Sequence, residues 1–380
     1  MVFYIFTARE SPRIKIGCKL LKINSNLERK SITMNKKVAL SLIFSLILFS
    51  CVGPETTVTN IVNRNGSVLR KIEMKNSENN FRQNQLKVPV DSTWALTDSI
   101  TISTKGDTTW FRSAEKLFIN TDEINQAYRS DSGVNRSVTR SAFFERRFRW
   151  FTTTFYFSET CGRSMLHAYP PEEFLSSEEI EYMKLPRKVK VDLLSGADSS
   201  KYRSMRDTIN DKSEIWYTKS IIAEWIEAAG TLCKASGKDS LTTEILRSHE
   251  NDFFEQVGEN TDIKEGCSIV LGAGIYEAYK TELDSAMKIA EERFDLSLSF
   301  DEYTMQVMMP SEIIATNGYR NPDGGISWPV MGELFLNADY IMYAESRSVN
   351  YWAIILTALL VIILPFDIAN HIRKWKNRKR

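Results

Sequence analysis

Residues 351–380 read YWAIILTALLVIILPFDIANHIRKWKNRKR, and this stretch decides how the rest of the chain is arranged. From Tyr351 to Phe366 sixteen residues carry no charge. As a helix they extend about 24 Å, slightly short of the roughly 30 Å hydrocarbon core of a bilayer. Interfacial residues can complete such a span, which reaches Ala369 if Asp367 lies among the headgroups. Tyr351 and Trp352 stand at one edge and Trp375 beyond the other, where interfacial aromatics belong. Arg373, Lys374, Lys376, Arg378, Lys379 and Arg380 follow, so the positive-inside rule makes the tail 370–380 cytoplasmic. A buried helix of a soluble domain fits poorly, because the segment has no polar face. A transmembrane helix over 351–369 is therefore predicted.

Near the other end, residues 34–51 read MNKKVALSLIFSLILFSC. Lys36 and Lys37 precede the apolar run Val38–Phe49, which is too short to span a bilayer and has the form of a signal-peptide core. The run closes as Leu48-Phe49-Ser50-Cys51, similar to a lipobox, in which a thiol after a small residue is acylated. The reading is a lipoprotein signal peptide over 34–50 with lipidation at Cys51. Residues 1–33 then read as an upstream extension, with Met34 the expected start. A lipid at one end and a helix at the other must hold the same bilayer. The expected location is a bacterial inner membrane, with residues 51–346 forming a periplasmic domain.

Composition agrees with a folded domain of this size. Hydrophobic residues make up 43% of the 380 and charged residues 26%, which excludes wholesale disorder, collagen and a polytopic transporter. The net charge of +1 hides an uneven distribution. Residues 1–50 hold 9 basic and 2 acidic side chains and 351–380 hold 6 and 1, leaving 34 basic and 45 acidic between them. The exported part is thus acidic, at −11, and nucleic acid is not an expected partner.

Within that part the hydrophobic period changes twice. Thr56–Met74 carries two alternating runs around Asn65-Gly66, a signal for a two-residue hairpin turn. Further strand-like runs cover Trp94–Ser103 and Thr108–Ile119, and the aromatic stretch Ser137–Thr160 reads as one long strand or two. A helix is predicted from Ser177, with Ser176 or Ser177 as cap. Glu214–Ala235, Leu241–Val257 and Ile263–Phe294 follow with helical spacing. Alternation returns at Tyr303–Met309, Glu312–Thr316, Ile326–Val330 and Tyr340–Ala344. The predicted class is α+β: β-rich ends (55–160 and 296–346) sharing a sheet packed on a helical middle (176–294), plus the C-terminal transmembrane helix.

The lipobox, the FRWF stretch at Phe148–Phe151 and the block MPSEIIATNGYRNPDGGISW before the NYWA entry resemble uncharacterised lipoproteins of Bacteroidetes-type bacteria. The same block resembles membrane-anchored LppM-like domains, with their Pro-turn-strand-TNG-strand-Trp pattern. The resemblance implies a location and a fold; it implies no activity.

Candidate chemistry is sparse. SIVLGAGIYEA at 268–278, with Asp301 or Glu302 downstream, mimics a dinucleotide fingerprint, but Glu277 stands where a small residue is needed. No cofactor is expected. His167 and His249 are the histidines of the exported part. Glu172, Glu173, Glu178, Glu179 and Glu181 crowd a helix start, where acid–base work competes with simple macrodipole compensation. Cys233–Cys267 is the preferred disulfide, leaving Cys161. Arg136, Arg140, Arg146, Arg147 and Arg149 interleave with aromatics. The favoured reading there is alternation with a buried aromatic face, against a cationic face toward lipid headgroups or glycan. Asp-Ser/Thr-small/aliphatic triplets, similar to a Bacteroidetes O-glycosylation sequon, recur more often than composition alone would give. They make Ser92, Ser99, Thr108, Thr208, Ser240 and Ser285 candidate acceptors.

The sequence thus points to a membrane-anchored envelope lipoprotein that works as a non-enzymatic binding or scaffold module. Its expected partners are the membrane itself and an envelope protein, lipid or glycan. Two rivals stand beside it. A carboxylate hydrolase requires Glu172–Glu181 to converge in a pocket, and a lipid carrier requires an apolar cavity between sheet and helices.

Overall fold

Alternating burial organises the first strands. In Glu55–Val62 (β1) and Val68–Asn76 (β2), Val58, Val62, Val68, Ile72 and Met74 all point into one core. The two strands pair antiparallel, Val62 opposite Val68. Their connection differs from the two-residue turn predicted. Asn63 and Ser67 bracket the loop, the Gly66 amide donates to the Asn63 carbonyl, and Gly66 takes φ 90°, which its lack of a Cβ permits. Here the glycine ends a longer turn. The computed structural model describes residues 55–77, 87–104, 106–258 and 263–378, so the expected signal peptide and the expected lipidation at Cys51 lie outside the described residues.

Ala95–Ile102 (β3) and Thr108–Phe118 (β4) extend this sheet. A short helix, Thr121–Arg129 (α1), follows, and composition gave no sign of it. Asn120 caps α1 by accepting from the Glu123 amide, and the Glu123 carboxylate accepts from the Ile119 amide. The aromatic stretch forms two strands, Arg140–Phe148 (β5) and Thr152–Cys161 (β6).

Between β6 and the next strand lies the helical unit. It comprises Ser177–Met183 (α2), Arg187–Ser195 (α3), Ser199–Ala235 (α4), Thr243–Ser248 (α5), Glu250–Gly258 (α6), Ile263–Leu271 (α7) and Ala273–Leu298 (α8). Trp216, Trp225, Ile226 and Ala229 on α4 meet Leu283, Ala286 and Ala290 on α8 in a second core. Each such large side chain contributes roughly 1.5–3 kcal/mol through burial. The strand-like reading of Ser268–Leu271 fails, because these residues close α7; the dinucleotide fingerprint has no strand to stand on. Glu224 fastens the entry loop, accepting from the Leu166 and His167 amides at 2.9 and 2.7 Å and pairing with Arg293.

The chain then returns to β structure with Tyr303–Met308 (β7), Glu312–Thr316 (β8), Tyr319–Arg320 (β9), Ile326–Val330 (β10) and Tyr340–Val349 (β11). Strands from both ends of the sequence do mix, in two sheets where one was expected. One has the order β3-β4-β2-β1-β7-β10-β9, with β1 and β7 parallel at its centre; the other is β5-β6-β11-β8. Their inner faces share one core with Ile124 and Tyr128 of α1. The fold is mixed α+β.

A polar clasp joins the sheets through that core. Arg70 of β2 pairs with Glu159 of β6, and each is at most 4% exposed. Arg70 also donates to Asn60 (2.8 Å) and to the Tyr128 hydroxyl (3.0 Å), while Tyr128 donates to Glu159 at 2.7 Å. Burial, more than any neighbouring charge, raises the Tyr128 pKa, which keeps that hydroxyl a donor.

From β11 the backbone passes through Asn350 into Tyr351–Arg378 (α9). Its stretch Tyr351–Ile372 is long and apolar enough to cross a membrane, and only 6% of its most apolar window is buried against the protein.

Candidate functional site

A wide cleft lies in the helical unit. Ser176 caps α2 in a reciprocal box with Glu179, and Pro186 separates α2 from α3, so these two short helices bend over α4. Behind them stand the end of α8 and the 3₁₀ turn Gly332–Phe335. Gly332 lets that turn approach α8, since a Cβ there would sit 2.0 Å from the Ser297 carbonyl oxygen. The space left between these parts is about 570 Å³. That volume is within the usual range for small-molecule sites.

Met183, Val191, Leu194, Ile209, Ile221 and Leu298 give the cleft mainly apolar walls. Arg187 and Arg206 line it with half-exposed guanidinium groups, paired with Glu302 and Asp207. Lys190 donates to the Met183 carbonyl at 2.7 Å, and burial lowers its pKa. Burial also raises the Glu333 carboxyl, which lies near Tyr217 and Lys190. The cleft therefore offers mainly apolar walls with Arg187, Lys190, Arg206, Glu214 and Glu333 among them, the Glu333 carboxyl biased toward its neutral form. Such a site suits an apolar molecule with a polar end.

The residues singled out from sequence do not gather here. Glu172, Glu173, Glu178 and Glu181 are exposed around the start of α2. Glu178 pairs with Lys201, Glu181 with Lys184, and Glu179 with Lys212 while completing the cap. They ring a helix end and do not converge, so the hydrolase reading loses the site it required. His167 is exposed, and His249 pairs with Asp252 at 2.9 Å on another face. Among the described residues no group of histidine, cysteine and carboxylate side chains has the makings of a metal site.

The Cys233–Cys267 bridge is not formed. Cys161, Cys233 and Cys267 are buried thiols, and burial pushes Cys161 up to about 12. Cys233 and Cys267 fill the helical core as small apolar groups. Ser92, Ser99, Thr208, Ser240 and Ser285 are exposed and Thr108 is half-buried. Some sequon aspartates have structural partners: Asp91 accepts from the Thr93 amide at 2.8 Å, and Asp98 holds Arg112.

The arginine–aromatic stretch divides. Arg140 is buried against Asp131 and Phe155 and Phe157 are core residues, whereas Phe143, Phe148, Trp150 and Phe151 are exposed. On β6 the buried face runs through Phe157, Phe155 and Thr153 almost to the tip, whereas on β5 Phe143 lies on the outer face beside Tyr156 and Phe148 is exposed at the tip end. The cleft residues have no local signature: Met183, Arg206, Leu298 and Glu333 come from four separate segments.

No protein-family model matches the chain, and no curated protein matches it. Among solved structures, the NMR structure of the LppM protein folded domain of Mycobacterium tuberculosis aligns with 8% identity and a TM-score of 0.25. The alignment covers 78% of this chain and 91% of that one. At that TM-score the likeness carries no argument.

Proposed function

We propose that this chain is a membrane-anchored, periplasmic binding protein whose helical unit takes an amphiphile, such as a molecule bearing an acyl chain, into the α2–α3–α4–α8 cleft. The observation that carries the reading is the apolar cleft of about 570 Å³ with Arg187, Lys190 and Arg206 on its wall. Anchorage rests on the exposed apolar helix Tyr351–Ile372, supplemented by lipidation at Cys51. This develops the binding-module expectation in the direction of the lipid-carrier rival, with the cleft inside the helical unit and not between sheet and helices as that rival required. The cleft lies far from the anchor along the chain's own frame. The helical unit begins beyond Cys161, about 30 Å along β6 from Thr152, which neighbours the membrane helix.

The test is native mass spectrometry of the full chain purified from membranes. A discrete bound amphiphile is expected, and it disappears when Val191→Trp and Leu298→Trp fill the cleft. Equal occupancy in parent and filled variant would remove the cleft from consideration.

A further inference from the structure

The β5–β6 hairpin ends in an unusual tip. Arg149 and Thr152 exchange both backbone hydrogen bonds, at 2.8 and 3.1 Å, so Trp150 and Phe151 are the two loop residues. Two-residue hairpin loops ordinarily hold Asn, Asp or Gly. Here the positions carry two bulky aromatics, 45% and 47% exposed, and neighbouring Phe148 is 52% exposed. Nothing in local turn chemistry calls for them.

The tip is fastened to the apolar helix. Asn350 donates from its side chain to the Arg149 carbonyl (2.8 Å) and from its backbone to the Phe151 carbonyl (2.8 Å), and it accepts from Thr153 (3.0 Å). Phe148 stacks on Trp352, and Trp150 meets the same ring edge-on at 5.4 Å. The Trp150 indole donates to the Thr357 hydroxyl at 2.8 Å. Thr357 lies six residues beyond Tyr351, about 9 Å down the helix axis. Wherever the first turns of α9 enter lipid, the tip enters with them.

Arg146 and Arg149, both exposed beside the tip, then stand at headgroup level despite the acidity of the rest of the domain.

We infer that the β5–β6 tip is a second membrane element: Trp150, Phe151 and Phe148 insert into the leaflet on the domain's side, alongside α9. The inference rests on the reading of Tyr351–Ile372 as a membrane span and goes beyond it. Two elements at one boundary fix the tilt of the domain, where a single helix would leave it free to swing about Asn350.

The test uses the full chain in phosphatidylcholine vesicles containing radiolabelled phosphatidylcholine. The photoreactive residue p-benzoylphenylalanine replaces Phe151, Val361 or Ile245, one at a time. Position 361 reports on the span, and exposed position 245, on α5, on the distant helical unit. Lipid adducts are expected at 151 and 361, with loss of the signal at 245. Phe148 is a second tip position, so a misfolded variant at 151 does not leave the question open. Adducts at 361 with none at 151 or 148 would overturn the hairpin inference and leave the span standing. Adducts at none of these positions would overturn both. Crosslinking of the tip to protein alone, or equal lipid labelling at 245, would also overturn it.

Discussion

Removing the Glu159 carboxylate is the sharpest way to break this fold without touching the cleft or the anchor. Glu159 accepts from Asn60 (2.9 Å), from Tyr128 (2.7 Å) and from Arg70, all inside the core between the two sheets. Glu159→Ala leaves the Arg70 guanidinium without its counter-charge in a place where it is 2% exposed. Breaking a buried pair from one side costs about 3–5 kcal/mol, because an uncompensated charge stays buried. At about 2–4 °C per kcal/mol for a chain of this size, the midpoint should fall by roughly 6–20 °C. The double variant Arg70→Met with Glu159→Leu removes both charges and supplies apolar volume, so most of that loss should return. The assay is thermal and denaturant unfolding of the full chain in detergent, followed by tryptophan fluorescence and circular dichroism. An alanine variant within about 0.5 kcal/mol of the parent, the size of an ordinary surface substitution, would refute the clasp. A double variant as unstable as the single one would refute the charge argument.

Three further outcomes are expected. Burial raises the Glu333 carboxyl above its ordinary 4.5, so between about pH 4.5 and that raised value the folded state binds more protons than the unfolded one. Parent stability, measured relative to Glu333→Gln, should therefore be highest in acid and fall as pH rises through that window; a difference that stays constant would contradict it. Gly332→Ala should destabilise by about 1–3 kcal/mol in the same unfolding assay, since its methyl group meets the Ser297 backbone, and a neutral effect would disprove the close approach. Mass spectrometry of the protein from its natural host should find glycan on at least one of Ser92, Ser99, Thr108, Thr208, Ser240 and Ser285. Unmodified peptides at all six would dismiss the sequon proposal.

The sequence displayed elements better than it displayed their meeting places. Alternation in Thr56–Met74 and the Ser176-Ser177 helix start are local and legible as strands and a cap, with the structure choosing Ser176 as the cap residue. Helix α1 escaped because Thr121–Arg129 is short and polar, with Ile124 and Tyr128 as its buried residues. The β1–β7 pairing joins segments nearly 250 residues apart, with Val58 beside Met305, and neither strand announces its partner. The cleft was illegible for the same reason. Its walls are apolar residues that individually look like core, and only the bend at Pro186 separates them into a channel. At the hairpin tip a period near two continued through Arg149, so exposed and buried aromatics read alike.

The central claim is that the helical cleft binds an amphiphile, and a fluorescence titration tests it most directly. A dansyl-labelled fatty acid is added to the full chain in nanodiscs, with dansyl emission, excited directly and corrected for empty nanodiscs, as the readout. Saturable enhancement is predicted for the parent, loss of it on Val191→Trp with Leu298→Trp, and weaker binding on Arg187→Ala with Arg206→Ala. The same saturable signal in the cleft-filled variant would contradict the account.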